Sequence, residues 1–147
     1  MAFLNSLNIS ASGLTAQKYR MEIVAQNLAN AQTTRTEDGG PYRRKLVVLS
    51  EITGTANFAG TLRTAMNENA SPGGVEVSAV LEDADDFKVE YDPSHPDADA
   101  DGYVRLPNVN TVEEMVDIMA ASRLYEANIT AFNAMKDMAA KALEIGK

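Results

Sequence analysis

The densest set of potential metal ligands lies in the stretch Asp97-Ala98-Asp99-Ala100-Asp101-Gly102. Alternating carboxylates followed by a glycine match the first half of a calcium-binding loop, in which the glycine permits a tight turn. The second half departs from that pattern, because Arg105 occupies the ninth position and Asn108 the twelfth, where a bidentate glutamate is needed. Pro96 also opposes the helix that leads into such a loop. We expect a solvated acidic turn without a metal, and a calcium- or ligand-binding module is the second hypothesis.

A hydrolytic site is the third hypothesis, since Asp92, Ser94 and His95 supply the three side-chain types of a nucleophilic triad. Residues this close together on one turn rarely reach the geometry that a nucleophile and its base require. His95 is the only histidine and the chain has no cysteine, so it lacks a zinc ligand set, a thiolate nucleophile and disulfides. We expect no catalytic site and no cofactor.

Carboxylates dominate the stretch from Glu82 to Asp101, in which Lys88 is the only basic residue. Such a run is most often a solvated face and less often a docking surface for a basic partner. The net charge of the whole chain is −8, which argues against nonspecific binding to phosphates. No window approaches the roughly 18 apolar residues of a membrane span. We expect neither a nucleic-acid partner nor a direct membrane span.

The best-defined element is a helix from Asn110 to Ile145, because this stretch contains no proline and its first glycine is Gly146. Asn110 and Glu113 can form an N-terminal capping box. At ~1.5 Å per residue the helix is about 50 Å long. A small middle unit cannot cover it, so its surplus apolar surface predicts contacts between subunits.

A second helix is predicted from Leu4 to Leu28 by a heptad-like line of leucine and methionine. Its first dozen residues are poor helix formers and include Gly13, so in isolation they should fray until a partner covers the apolar face. The Asn- and Thr-rich residues that follow should end the helix, since their side chains compete for backbone hydrogen bonds.

The middle of the chain reads as β structure. Alternating or β-branched residues predict strands at 42–49, 75–79, 87–91 and 103–106. The predicted fold class is α+β, with two long terminal helices that pair as a coiled-coil-like bundle around a small, mostly β middle unit. We divide the chain into an N-terminal assembly helix (1–34), a β-rich middle segment with a mobile loop at 52–74 (35–109), and a C-terminal assembly helix (110–147).

Four motifs give the chain a resemblance to the flagellar rod and hook axial proteins. They are Asn27-Leu28-Ala29-Asn30-Ala31-Gln32-Thr33-Thr34, Gly40-Pro41-Tyr42-Arg43-Arg44-Lys45, His95-Pro96-Asp97-Ala98-Asp99 with the following Gly102-Tyr103-Val104, and Ser122-Arg123-Leu124-Tyr125-Glu126-Ala127-Asn128. The motif that begins at Gly40 and the motif that begins at His95 narrow the resemblance to the proximal rod members of that family.

The resemblance implies a non-catalytic structural subunit that polymerises through its terminal helices in the proximal rod of the basal body. This rod is part of the hollow drive shaft used for export and torque transmission in motility. The implied partners are copies of the chain itself, other rod proteins, the base formed by the MS-ring and export gate, and the flagellar type III export apparatus. The implied location is the periplasmic part of the basal body, reached without a cleaved signal peptide.

Mapping the resemblance onto the two helices gives an expected assembly interface. Asn27, Asn30 and Asn128 would fix the register, as buried amides do in helix assemblies. The full set is Leu7, Leu14, Met21, Val24, Asn27, Leu28, Asn30, Met115, Met119, Arg123, Tyr125, Asn128, Ile129 and Phe132.

Overall fold

The two terminal helices are the longest elements of the chain. The computed structural model describes residues 2–37, 39–52 and 73–145. In chain order the elements are α1 (Ala2–Ala29), β1 (Lys45–Glu51), β2 (Val75–Glu82), β3 (Lys88–Tyr91), β4 (Tyr103–Leu106) and α2 (Thr111–Ile145). Two helices with a small antiparallel β region confirm the predicted α+β class. The predicted mobile loop at 52–74 lies almost entirely outside the described residues.

The helices α1 and α2 pack against each other in antiparallel directions. Arg20 contacts Asp117 at 3.3 Å, and Asn27, further along α1, contacts Glu114, which lies earlier in α2. At Gly13 an added Cβ would lie 3.2 Å from the side-chain carboxamide nitrogen of Asn128. The glycine that weakens α1 as an isolated helix therefore allows α2 to approach closely at this point.

The side of α2 that faces α1 repeats in alternating steps of four and three residues. This spacing keeps one line of side chains against a neighbouring helix over many turns. The buried or half-buried residues on this line are Glu114, Ile118, Ala121, Tyr125, Asn128, Phe132, Met135 and Ala139.

Asparagines mark the adjoining ends of the two helices. The Asn110 carboxamide oxygen accepts a hydrogen bond from the Val112 amide at 3.2 Å, which satisfies one free donor of the first turn of α2. After α1 ends at Ala29, the Asn30 side chain donates to the Gln26 carbonyl at 2.9 Å and accepts from the Thr33 hydroxyl at 3.2 Å. This is the side-chain competition that the sequence predicts for the end of α1.

The strands form two separate two-stranded antiparallel sheets. In the first, β1 pairs with β2 from Lys45 opposite Glu82 to Glu51 opposite Val75, with an irregularity between Val48 and Leu49. In the second, β3 pairs with β4 from Lys88 opposite Leu106 to Tyr91 opposite Tyr103.

The first strand begins later than the sequence predicts, at Lys45 instead of Tyr42. The Tyr42 amide donates to the Thr33 carbonyl at 3.0 Å, and the Arg44 amide donates to the Asn108 carboxamide oxygen at 2.8 Å. These backbone donors are therefore used by loop contacts and not by the ladder with β2.

The β1–β2 hairpin lies along α1. At one end the Asn27 side chain bonds to the backbone of Lys45, and at the other end the Val75 amide donates to the Ser12 hydroxyl at 3.1 Å. Gly74 has a φ of +111° and lies against Ser12, where a side chain would collide with the hydroxyl. Within the described part of the chain, α1 is covered by both α2 and the hairpin, whereas no strand packs against α2.

Candidate assembly site

A buried polar cluster joins α1, α2 and the start of β1. We call it the junction cluster and define it by Asn27, Tyr42, Arg44, Asp83 and Glu114. The Glu114 residue is 0% exposed and Asn27 is 1% exposed. Buried charged and polar groups of this kind are costly unless they are hydrogen-bonded, so the cluster depends on its internal pairing.

Asn27 uses both ends of its carboxamide in the junction cluster. Its nitrogen donates to the Glu114 carboxylate at 3.0 Å and to the Lys45 carbonyl at 2.9 Å. Its oxygen accepts from the Tyr42 hydroxyl and from the Lys45 amide, each at 2.9 Å. One side chain of α1 therefore fixes the positions of both α2 and β1.

Arg44 compensates the buried charge of Glu114. Its Nε donates to the Glu114 carboxylate at 2.6 Å, and its Nη1 lies 3.3 Å from the Asp83 carboxylate. Its Nη2 is 4.0 Å from Asp117, the same carboxylate that Arg20 contacts on α1. This chain of opposite charges links both helices to the loop after β2, and water screens the charges least at the Arg44–Glu114 pair.

The electrostatics of the junction cluster shift two pKa values. Burial raises the pKa of the Tyr42 hydroxyl above its usual 10.0, and the negative charges of Glu114 and Glu82 raise it further. Burial acts to lower the pKa of Arg44, but hydrogen bonding and charge attraction from Glu114 and Asp83 outweigh it and raise that pKa above the ordinary value of arginine. At neutral pH Tyr42 is therefore a neutral donor and Arg44 is a cation.

The sequence predicts that Asn27 lies in the assembly interface, and the structure places it in the junction cluster inside the chain. Asn128 is half-buried beside Gly13. Tyr125 and Phe132 are half-buried on the α1-facing side of α2. Of the remaining α1 residues in the predicted set, Val24 is buried, and Leu7, Leu14, Met21, Leu28 and Asn30 are half-buried.

The other α2 residues of the predicted set point away from α1. Met115 is 54% exposed, Met119 is 53% exposed and Ile129 is 36% exposed, and Arg123 is also exposed. The structure thus separates the predicted interface into residues that contact the chain's own elements and residues that lie on its surface.

Two further apolar residues join Met115 and Met119 on the surface and were missing from the predicted set. Val112 is 67% exposed and Val116 is 55% exposed. We call these four residues the outer α2 patch. They follow the i, i+3, i+4, i+7 spacing of one helix face, which is a signal present in the sequence. What the sequence did not reveal is that the same turns bury the charge of Glu114.

The side chains of the acidic turn and of the suspected triad do not make the contacts that a metal site or a nucleophilic triad requires. The Ser94 hydroxyl donates to Asp92 at 2.6 Å, while Nδ1 of His95 accepts from the Asp97 amide at 3.1 Å, so serine and histidine are not paired. The Asp97 carboxylate accepts from the Thr34 hydroxyl at 2.8 Å. Residues 2–37, 39–52 and 73–145 contain no group of three potential ligands placed to hold a metal ion. They also contain no helix long and apolar enough to span a membrane.

Terminal helices that bury charge inside the chain and expose apolar side chains outside define a protein built for assembly. Family models agree: "Flagella basal body rod protein" matches residues 7–35, and "Flagellar basal body rod FlgEFG protein C-terminal" matches residues 100–145. Similar relatives include the flagellar basal-body rod protein FlgC of Bacillus subtilis, 49% identical over 100% of both chains. The protein of the same name from Borreliella burgdorferi is 43% identical over 99% of this chain and 98% of its own.

The chain therefore belongs to the FlgC family of flagellar basal-body rod proteins. It is a structural rod subunit of the flagellum and serves motility, and it is not an enzyme. As a member of this family it assembles with other rod proteins in the basal body.

Proposed function

We propose that this chain is a subunit of the proximal rod and that it contacts copies of itself and other rod proteins through its terminal helices. In this role it helps to form the hollow shaft through which export proceeds and torque is transmitted. The outer α2 patch carries the proposal. Its four apolar side chains are 53–67% exposed, while Glu114, on the same turns, is 0% exposed.

This arrangement is the reverse of what an isolated helix pair requires, because water favours the charge outside and the apolar groups inside. A neighbouring subunit that covers the patch would remove that conflict, at about 25 cal/mol for each Å² of apolar surface buried. Arg123 and Ile129 extend the exposed surface further along α2. We assign four residues of the predicted interface to direct contact with neighbours: Met115, Met119, Arg123 and Ile129.

Within each subunit, α1 and α2 pack together, and this helix pair is the part that contacts neighbouring subunits. The alternating four- and three-residue steps on α2 support a coiled-coil-like pairing with α1. Asn27 and Asn128 then set the register between α1 and α2 within one subunit, and Tyr125 and Phe132 stabilise the same pair. Changes at these positions would affect assembly indirectly, by disturbing the helix pair.

The same proposal divides the chain into three parts. They are the assembly helices at 1–34 and 110–147 and a middle segment at 35–109. Membership of the FlgC family supports a periplasmic rod location and export through the flagellar type III apparatus without a cleaved signal peptide. It also supports contact with the base formed by the MS-ring and the export gate.

The test is a double variant, Met115→Glu with Met119→Glu, compared with Met138→Glu. Met138 is 59% exposed on α2 but lies outside the outer α2 patch, so it controls for the effect of an added charge on a methionine of similar exposure. We expect the double variant to remain folded, with an unchanged melting temperature, because both side chains already contact water. Cells that carry it should build no complete rod and should not swim, whereas Met138→Glu cells should swim.

Normal swimming by the double variant would refute the assignment of the outer α2 patch. A fall of more than a few degrees in its melting temperature would show that the patch covers the chain's own core instead. A purified sample and a thermal melt followed by circular dichroism distinguish these two results.

A further inference from the structure

The register of the helix pair is the same at two separate points. Asn27 of α1 bonds to Glu114 of α2. Further back along α1, Gly13 lies against Asn128 of α2. The two points are 14 residues apart along each helix, so the register is constant between them. A level on one helix therefore identifies the matching level on the other.

This register leaves the end of α2 without a partner helix. Ala2, the first residue of α1, is level with Ala139, which is half-buried on the α1-facing side of α2. Residues 140–145 of α2 lie beyond the start of α1. At ~1.5 Å per residue they extend about 9 Å past it. We call residues 140–145 the α2 overhang.

The α1-facing side of α2 stays apolar in the α2 overhang. Leu143 lies there, one helical turn after Ala139 and on the same side of the helix. It is 76% exposed, a larger fraction than any other large apolar side chain in the described part of the chain. On the preceding turns α1 covers this side of α2, and Leu143 is uncovered because α1 does not reach it.

The outer α2 patch lies at the opposite end of the helix pair. By the same register, Ala29 at the end of α1 is level with Val112. Each chain thus carries an uncovered apolar surface near both ends of α2, about 40 Å apart by the helical rise. Two different surfaces at opposite ends of one unit can join copies head to tail, which produces an open filament when the rotation between copies does not close a ring. This is the kind of assembly that a rod requires.

Charges at the two ends favour the same head-to-tail arrangement. The first turn of α1, next to the α2 overhang, contains no acidic residue to offset the positive end of its helix dipole. The first turn of α2, next to the outer α2 patch, contains Glu113 and Glu114. Glu114 is buried in the junction cluster, whereas Glu113 is exposed and has no ion pair among the residues that the structure describes. A contact between overhang and patch brings Glu113 of one chain close to the start of α1 of the other.

We propose that the α2 overhang of one chain packs on the outer α2 patch of a second copy, with Leu143 against the patch. This inference rests on the proposed function, since it names the partner of the outer α2 patch. The second copy covers the side of α2 that α1 covers on the preceding turns. A contact of about two helical turns is far smaller than the ~800 Å² per partner of a stable complex. It therefore forms in the rod, where a subunit has several neighbours, and not between free chains in solution.

Thiol crosslinking in assembled rods tests this contact, because the chain has no cysteine of its own. One strain produces Met115→Cys and Leu143→Cys as two separate chains, and rods isolated from swimming cells are treated with a short bismaleimide reagent. We expect a crosslinked pair that contains one chain of each variant, identified by mass spectrometry of the linked peptides. If Met115→Cys prevents swimming, Val116→Cys on the same patch replaces it.

Strains that produce only one of the two variants are the controls. They should give no crosslinked pair, because the contact joins two different positions. A pair that links two copies of the same position, or no pair in the mixed strain while its cells swim, would overturn the proposal. A mixture of the two purified, unassembled variants should also remain uncrosslinked.

A charge variant separates this inference from the proposed function. Leu143→Glu should abolish swimming without a change in the melting temperature of the purified protein, since its side chain already contacts water. The control Met138→Glu, on another side of α2 and 59% exposed, should swim. Normal swimming by Leu143→Glu would contradict the inference.

The two proposals fail separately in this design. Absence of the crosslinked pair, together with loss of swimming in Met115→Glu with Met119→Glu, would overturn the overhang contact and leave the outer α2 patch as an assembly surface. Normal swimming by both that double variant and Leu143→Glu would refute both proposals.

Discussion

Removal of the Asn27 side chain should destabilise the junction cluster and, with it, the folded chain. Asn27→Ala deletes four hydrogen bonds, which lead to Glu114, to the Tyr42 hydroxyl and to both backbone groups of Lys45. Because Asn27 is 1% exposed, water cannot replace the lost partners without rearrangement. The buried Glu114 and Tyr42 side chains and the two part-buried backbone groups of Lys45 would therefore lose a hydrogen-bonding partner in one substitution.

The expected loss of stability follows from those partners. Three of the bonds are between neutral groups and contribute about 1 kcal/mol each, while a bond to a carboxylate contributes about 1.5–3 kcal/mol. Since the bonds belong to one network they are not additive, and we expect a decrease of about 3–5 kcal/mol in the free energy of unfolding. A typical domain has only about 5–15 kcal/mol in total.

Urea unfolding followed by circular dichroism measures this decrease, because the chain has two long helices and no tryptophan. The midpoint should fall by about 2 M for a chain of this size. Asn30→Ala is the matched control, since Asn30 lies one turn later and, among the residues that the structure describes, its side chain hydrogen-bonds only to Gln26 and Thr33. Measurements at two protein concentrations show whether assembly contributes.

Equal destabilisation by Asn27→Ala and Asn30→Ala would refute the reasoning. It would mean that the junction cluster does not hold the helices to the middle segment. A decrease below about 1 kcal/mol for Asn27→Ala, the value of one ordinary hydrogen bond, would lead to the same conclusion.

Three further predictions concern the α1-facing side of α2, Tyr42 of the junction cluster, and Gly74 where the β1–β2 hairpin meets α1. Phe132→Asp places a charge on the α1-facing side of α2 and should lower the free energy of unfolding by about 2 kcal/mol, measured by urea unfolding. The contribution of Tyr42 to stability should be constant between pH 8 and 10 and fall above pH 10, because the folded chain holds the Tyr42 proton more tightly than the unfolded chain, where the pKa is 10.0. Urea midpoints between pH 8 and 11 test this. Gly74→Ala should lower the melting temperature by several degrees, since Gly74 has a φ of +111° and lies against Ser12.

Each of these predictions has a control in the same chain. Met138→Asp adds the same charge as Phe132→Asp but at an exposed position. Equal decreases in the free energy of unfolding would contradict the placement of Phe132 on the α1-facing side of α2. Tyr42→Phe should flatten the decline above pH 10, and an unchanged decline would exclude Tyr42 as its cause. Gly40→Ala meets no atom within 4 Å, so a loss matching that of Gly74→Ala would speak against a local collision.

The sequence predicted the secondary structure well where a single local signal was strong. The absence of proline, the Asn110 cap and the helical spacing of apolar residues defined α2, and the structure begins it at Thr111 and ends it at Ile145. The strand at Tyr103–Leu106 agrees with the prediction as well. The start of β1 was predicted too early, because loop contacts, which local propensity does not encode, use the amides of Tyr42 and Arg44.

Motifs in the sequence by themselves determined the family and the structural, non-enzymatic role, since both depend on residue identity and order along the chain. Which side of each helix faces its own chain was decided only by the tertiary structure. In sequence, Met115 and Phe132 belong to one broad apolar stripe, and Glu114 looks like an acidic residue of a helix N-terminus. The guanidinium of Arg44 and the carboxamide of Asn27 offset the free-energy cost of burying Glu114. Because Glu114 faces inward, Met115 and its neighbours on the same turns face outward. Those partners lie 70 and 87 residues away along the chain, so only folding brings them together.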